Sequence, residues 1–191
     1  MKKRIGFPAV LFYGLAILMI VLTLGSFISA VQWINKPFAG FLIYDFPHVG
    51  SMGDRQWPGI KAGLRLMDRI ISIDGEPVLK GRNVVKMIGQ KKPGTLIHLE
   101  VESKGQIQKK TIPVTLFSLK DFLLVFFIPF LGGFALYVLG VIVYLLKPNI
   151  STSWVFNILC FSLGTYMVTG FEMQSSYAFV HLHFLIQHYH P

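Results

Sequence analysis

The densest set of side chains able to do chemistry stands near the end of the chain, where His181, His183, His188 and His190 fall close together. Imidazoles ligate metals, but a protein zinc site is usually completed by Cys, Asp or Glu. Neither His pair two residues apart shares a helix face, and no acidic or thiol side chain accompanies the four. A tail lying at headgroup level is therefore expected, with no metal ligand. His48 stands alone in a polar stretch and reads as a solvated side chain. Intramembrane zinc proteolysis needs His-Glu-x-x-His, a hydrolase elbow needs Gly-x-Ser-x-Gly, and a phosphate loop needs Gly-x-x-x-x-Gly-Lys-Ser/Thr. None of these occurs. Cys160, the single cysteine, lies within an apolar run with nothing beside it to activate a thiol. The chain as it stands is expected to carry no catalytic residue, no metal and no cofactor.

Composition sets the physical class. The 191 residues are 53% hydrophobic, with a mean hydropathy of +0.57, which points to a membrane protein. The uncharged apolar runs are Pro8 to Val31, Phe122 to Leu146 and Trp154 to Phe171. The first two exceed the roughly 20 residues that cross a bilayer, and the third reaches the lower limit. The expected class is thus an α-helical membrane protein with three transmembrane helices and one small inserted α+β domain. Its expected boundaries are 1–35 (basic start and first helix), 36–118 (domain), 119–147 (second helix), 148–172 (turn and third helix) and 173–191 (tail). Lys2, Lys3 and Arg4 place the N-terminus in the cytoplasm and hence the domain outside it. The apolar run that follows is too long for a cleaved signal core, and Trp33 suits an interfacial anchor.

The inserted domain is basic: between Ile34 and Lys120 there are 14 Lys or Arg against 7 Asp or Glu, a difference of +7. That favours acidic partners or anionic headgroups, whereas no basic and aromatic nucleic-acid module accompanies it, so no nucleic acid is expected. Pro58 opens a short helical turn that Gly63 caps. Arg69 to Ile73 reads as a strand and Asp74-Gly75 as a turn into Glu76-Pro77-Val78. Asn83 caps a second helix running to Gln90, and Lys92 to Thr95 turns into a hairpin of Leu96 to Ser103, Lys104-Gly105 and Gln106 to Val114. Asp45 to Trp57 reads as a loop. After the hairpin, Ser118 and Asp121 form a capping-box pattern for the second membrane helix, and Ser151 or Ser153 caps the third. Gly132, Gly133 and Gly140 offer close helix-packing surfaces, open to a homo-oligomer.

The order of a small helix ending in Ala62-Gly63-Leu64, an Asp68 before a strand, and the turn Asp74-Gly75-Glu76-Pro77-Val78 resembles the PDZ domain of bacterial periplasmic and membrane proteases and sensors. The resemblance runs from Phe38 to Thr115, with Met67 standing where this group usually carries Gly, so the loop there is expected to be built differently. It implies that the loop Ala39, Gly40 and Phe41 receives the carboxylate of a peptide or protein C-terminus on its backbone amides. Glycine lets successive amides converge on an anion with no Cβ in the way. It further implies a strand from Phe41 to Tyr44, including Leu42 and Ile43, that the peptide extends, and a facing helix whose Val84 and Ile88 line the groove. The alternative at Phe38 to Phe41 is an aromatic patch seating the domain on the bilayer. The layout is similar to the sensory region of some bacterial histidine kinases, which implies signal transduction at the inner membrane. The alternatives are a regulatory or docking piece of a membrane protease and a non-signalling assembly factor. The apolar run from Tyr177 to Ile186 is too short to span and reads as an interfacial piece or the edge of a longer protein.

Overall fold

The computed structural model describes residues 7–148 and 150–177. The tail histidines and most of the Tyr177 to Ile186 run lie outside the described residues. Helix α1 (Phe7–Val31) leads into strand β1 (Pro37–Phe38), and the domain leaves through β8 (Thr115–Leu116), which pairs antiparallel with β1, Pro37 opposite Leu116. Asn35 N–H donates to Phe117 O at 2.8 Å and Phe117 N–H to Lys36 O at 2.9 Å. Entry and exit are thus stitched together, as an insertion between two helices requires.

Within the domain the hairpin readings hold. Strands β4 (Arg69–Ile73), β5 (Glu76–Pro77), β6 (Leu96–Ser103) and β7 (Gln106–Pro113) form one antiparallel sheet in the order β5-β4-β6-β7. Asp74 and Gly75 both take positive φ, as do Lys104 and Gly105, the conformation of tight two-residue hairpins. Inside the segment read as a loop there is a short strand, β3 (Val49–Ser51), paired with β2 (Leu42–Ile43). His48 joins that hairpin by accepting the Tyr44 N–H at its carbonyl, and is half-buried rather than free in solvent. Helix α2 (Pro58–Lys61) ends at Gly63 with φ +76 as expected. Met67 adopts φ 66, so it takes the left-handed conformation a glycine would take and the loop keeps its course. Its side chain stays 61% exposed, which spares that conformation any packing demand.

Helix α3 (Gly81–Gly89) starts two residues ahead of the expected Asn83 cap, and Lys80 precedes it without a side-chain capping bond. The contact that sets this start is Gly81 itself, described below. Val84 and Ile88 face inward with Ile70, Ile73, Ile97, Leu99, Val101 and Ile112 in the domain core.

The second apolar segment is a continuous helix of α4 (Leu119–Phe122), a π-helical stretch (Leu123–Phe127) and α5 (Ile128–Leu146). Pro129 has no N–H to give and its ring crowds the preceding turn, and the wider π-turn sits where that strain must be absorbed. The Ser118–Asp121 capping box is present in full. Asp121 also accepts the Trp57 indole N–H at 2.6 Å, tying the chain just before α2 to the start of the second apolar helix. Among the described residues, two helices are long and apolar enough to cross a membrane, Val10–Val31 and Leu119–Leu146. Helix α6 (Ser151–Thr169) carries Asn157, Ser162, Thr165 and Thr169, which lower its hydropathy, and its expected serine cap is absent: Ile150 precedes it with no side-chain capping bond. It packs on α5 at glycines. A Cβ on Gly133 would stand 2.8 Å from Gly164 O, and one on Gly140 would stand 2.8 Å from Cys160 Cβ. The small-residue surfaces expected to serve an oligomer are therefore used within the chain.

Trp33 does not anchor at a lipid interface, and Phe38 does not seat the domain on the bilayer. Both are buried in an aromatic cluster with Trp57, Phe117, Phe126 and Phe171, between the domain and the helix ends. The Phe38 ring lies 4.8 Å from Trp57 and 5.2 Å from Phe117, edge to face. Such pairs stabilise by roughly 0.5–1.5 kcal/mol each beyond area burial, which seats the domain on the chain's own helices.

Candidate functional site

Of the seven residues expected to form the peptide site, Ala39, Phe41, Ile43, Val84 and Ile88 come together in the domain core, though not as an open groove, while Leu42 joins the aromatic cluster and Gly40 packs on α2. Gly40 turns the chain between β1 and β2 with φ +79. Its back rests on the first turn of α2, where an added Cβ would be 2.6 Å from Pro58 N and 2.7 Å from Gly59 N. Among the described residues, the Gly40 and Phe41 N–H groups donate to no protein acceptor, although both residues are buried. Buried backbone donors are nearly always paired, so two adjacent orphans mark a place that suits an anion.

Strand β2 alternates as a strand must. Ala39, Phe41 and Ile43 join Val84 and Ile88 in the domain core, whereas Leu42 points the other way into the aromatic cluster with Trp33 and Phe126. The space left between β2 and α3 is a cavity of about 20 Å³, room for one water and for no peptide side chain. At its far end the walls touch. Gly81 N–H donates to Asp45 O at 2.6 Å, and a Cβ on Gly81 would stand 1.8 Å from Tyr44 O. Arg82 grips Asp45 through two bonds of 2.9 and 2.8 Å, and the hydrogen bond from Arg82 holds the Asp45 carboxyl below its ordinary range.

Tyr177 closes the same end. Its hydroxyl donates to Ile43 O at 2.9 Å, and the Arg82 guanidinium lies 5.9 Å from the ring centroid. Burial, reinforced by the Asp45 charge, raises the Tyr177 pKa and keeps the phenol protonated. Tyr177 arrives on a 3-10 turn, Glu172–Gln174, that follows α6. Glu172 is wholly buried. Its Oε2 accepts from Ser29 of α1 at 2.9 Å and from Ser176, and its backbone carbonyl accepts the Tyr177 N–H at 2.7 Å. Gln174 lines both the small cavity and a larger cleft of about 600 Å³ between the β2–β3 hairpin, the start of α5 and the end of α6. Sequence reasoning missed Gly81, Arg82 and Tyr177. The first two sit at an ordinary helix start, and Tyr177 acts 134 residues away from Ile43, beyond the reach of any local pattern.

Burial raises the Glu172 pKa. A carboxyl with a raised folded-state pKa takes up a proton on folding, so its contribution to stability is full below the ordinary carboxylate range and is lost as pH rises through the raised value. Glu172→Gln is therefore expected to raise the melting temperature at pH 8 and to leave it unchanged near pH 4. Thermal unfolding in detergent at the two pH values reads this directly.

Residues 54–114 match the PDZ domain family, a span that covers α2 to β7 and begins after the Gly40 loop. A probable periplasmic serine endoprotease, DegP-like, of Pseudomonas fulva is 36% identical over 86 residues, 44% of this chain and 18% of that protein. A second DegP-like protein, from Pseudomonas savastanoi pv. phaseolicola, is 31% identical over the same length. Among solved structures, the serine endoprotease from Yersinia pestis aligns with 19% identity and a TM-score of 0.39, over 44% of this chain and 30% of that one. The chain thus spans less than a fifth of the length of the curated relatives it matches. Residues 54–114, within the domain held between α1 and α4, thus match the PDZ domain family, and 86 residues of the chain are similar to DegP-like proteins.

Proposed function

We propose that this chain holds a peptide-binding PDZ domain at the outer face of a bacterial cytoplasmic membrane, as a regulatory or substrate-docking piece of a membrane protease. The carrying observation is the pair of unpartnered Gly40 and Phe41 amides beside the small cavity between β2 and α3. An extended peptide would enter there as an added strand, its C-terminal carboxylate on those amides. Ala39, Gly40, Phe41 and Ile43 would form one wall and Val84 and Ile88 the other, with Leu42 supporting β2 from behind. The relatives are proteases, which favours this reading over the sensory region of a histidine kinase. In it, α1, α4–α5 and α6 are three membrane helices, the last returning outward to Glu172. The Trp57–Asp121 bond carries a shift of the domain to the membrane helix, while α6 carries it through Glu172. The chain itself needs no catalytic residue or cofactor for this role.

The test compares free-acid and C-terminally amidated versions of the same peptides on the whole chain in detergent micelles. Hydrogen bonds from two amides to a carboxylate are charge-assisted, so the free acid is expected to bind about tenfold more tightly, a difference of about 1.4 kcal/mol. Equal affinity of the two forms would overturn carboxylate capture.

A further inference from the structure

We propose that Tyr177 is the resident ligand of the peptide groove, and that the external partner is an extended peptide replacing it with an aromatic side chain of its own near its C-terminus. This rests on the peptide-binding reading above and says what opens the site and what fills it. A strand added to β2 bonds the carbonyls of its free edge, and the Tyr177 hydroxyl already occupies one of them, Ile43 O, at 2.9 Å. Its ring packs against the domain core, and its hydroxyl oxygen lies 2.9 Å from the place a Gly81 Cβ would take. The chain therefore fills, from inside, the position a ligand side chain would fill.

The seat is built for displacement. Tyr177 holds φ 60, a left-handed conformation that is strained for a bulky side chain and that a free peptide does not need. The neighbours impose it: Tyr177 N–H on Glu172 O at 2.7 Å, and Glu172 on Ser29 of α1 at 2.9 Å. Arg82, clamped by both Asp45 oxygens, stays in place to face whichever aromatic ring enters. The spacing fixes where the partner's ring must be. From Gly40 to Ile43 is about three residues, or roughly 10 Å of strand, so a carboxylate at Gly40 puts the residue about three before it at the Ile43 carbonyl.

The experiment uses the whole chain in detergent micelles as wild type, Tyr177→Ala and Tyr177→Phe. The probes are fluorescent free-acid peptides with Tyr or Ala at the position three before the last residue. A resident ligand filling about 90% of the molecules lowers apparent affinity about tenfold, so Tyr177→Ala is expected to bind the Tyr peptide about tenfold more tightly than wild type does. Tyr177→Phe keeps the ring and its packing, loses only the hydroxyl bond, and is expected to gain about threefold. The Tyr peptide is expected to outcompete the Ala peptide on every protein. Equal affinity in wild type and Tyr177→Ala overturns the resident ligand while leaving peptide binding intact. An Ala peptide matching the Tyr peptide overturns the aromatic partner. Failure of every peptide on every variant, with all three folded, overturns the peptide reading itself.

Discussion

Gly40→Ala is expected to destabilise the domain strongly. The residue holds φ +79, which costs a Cβ-bearing residue roughly 1–2 kcal/mol. The added Cβ would also stand 2.6 Å from Pro58 N and 2.7 Å from Gly59 N. Those are backbone atoms of α2, unable to rotate away, and overpacking of this kind costs roughly 1–3 kcal/mol more. The sum, about 2–5 kcal/mol, is a large part of the 5–15 kcal/mol that holds a typical domain folded. The expected readout is a fall of about 10 °C or more in melting temperature, with loss of protease resistance between Lys36 and Leu119. A variant within about 1 kcal/mol of wild type would contradict the packing described for this loop. One practical consequence is that replacing Gly40 cannot isolate carboxylate capture, so the chemistry must be varied on the peptide.

Gly81→Ala is the second large effect. Its Cβ would be 1.8 Å from Tyr44 O, so the start of α3 must move away from β2 and give up the 2.6 Å bond from Gly81 N–H to Asp45 O. We expect a loss of about 2–4 kcal/mol, at and slightly beyond the usual range for overpacking. Gly89, at the other end of the same helix, is the internal control. Nothing lies within 4 Å of its added Cβ, so Gly89→Ala is expected to stabilise by roughly 0.4–1 kcal/mol. Equal effects at the two positions, measured by denaturant unfolding, would show that the closed end of the groove is not packed as described.

Local signals carried much of this fold. The β4 and β6 boundaries, the turns at Asp74-Gly75 and Lys104-Gly105, the Gly63 cap and the Ser118–Asp121 capping box are all matters of a few adjacent residues. Short-range chemistry decides them. The start of α3 was misread because Asn83 is the better cap by type, whereas Gly81 is required by the carbonyl of Tyr44, a long-range contact. The same holds for Trp33 and Phe38: an aromatic residue beside an apolar run looks like a lipid anchor until the partner rings of Phe117 and Phe171 are brought to it. At the candidate site, the backbone course at Gly40 and the inward faces of Val84 and Ile88 were legible. Closure of the groove was not, because Tyr177 reaches Ile43 only through the packing of α6 on α1 and α5.

The most direct measurement follows the two orphan amides. With the whole chain labelled at glycine and phenylalanine nitrogens, the Gly40 and Phe41 N–H resonances are recorded as free-acid and then amidated peptide is added. The account predicts that both resonances move downfield with the free acid, in proportion to its binding, and do so much less with the amide. Binding of the free acid that leaves both resonances in place would contradict it.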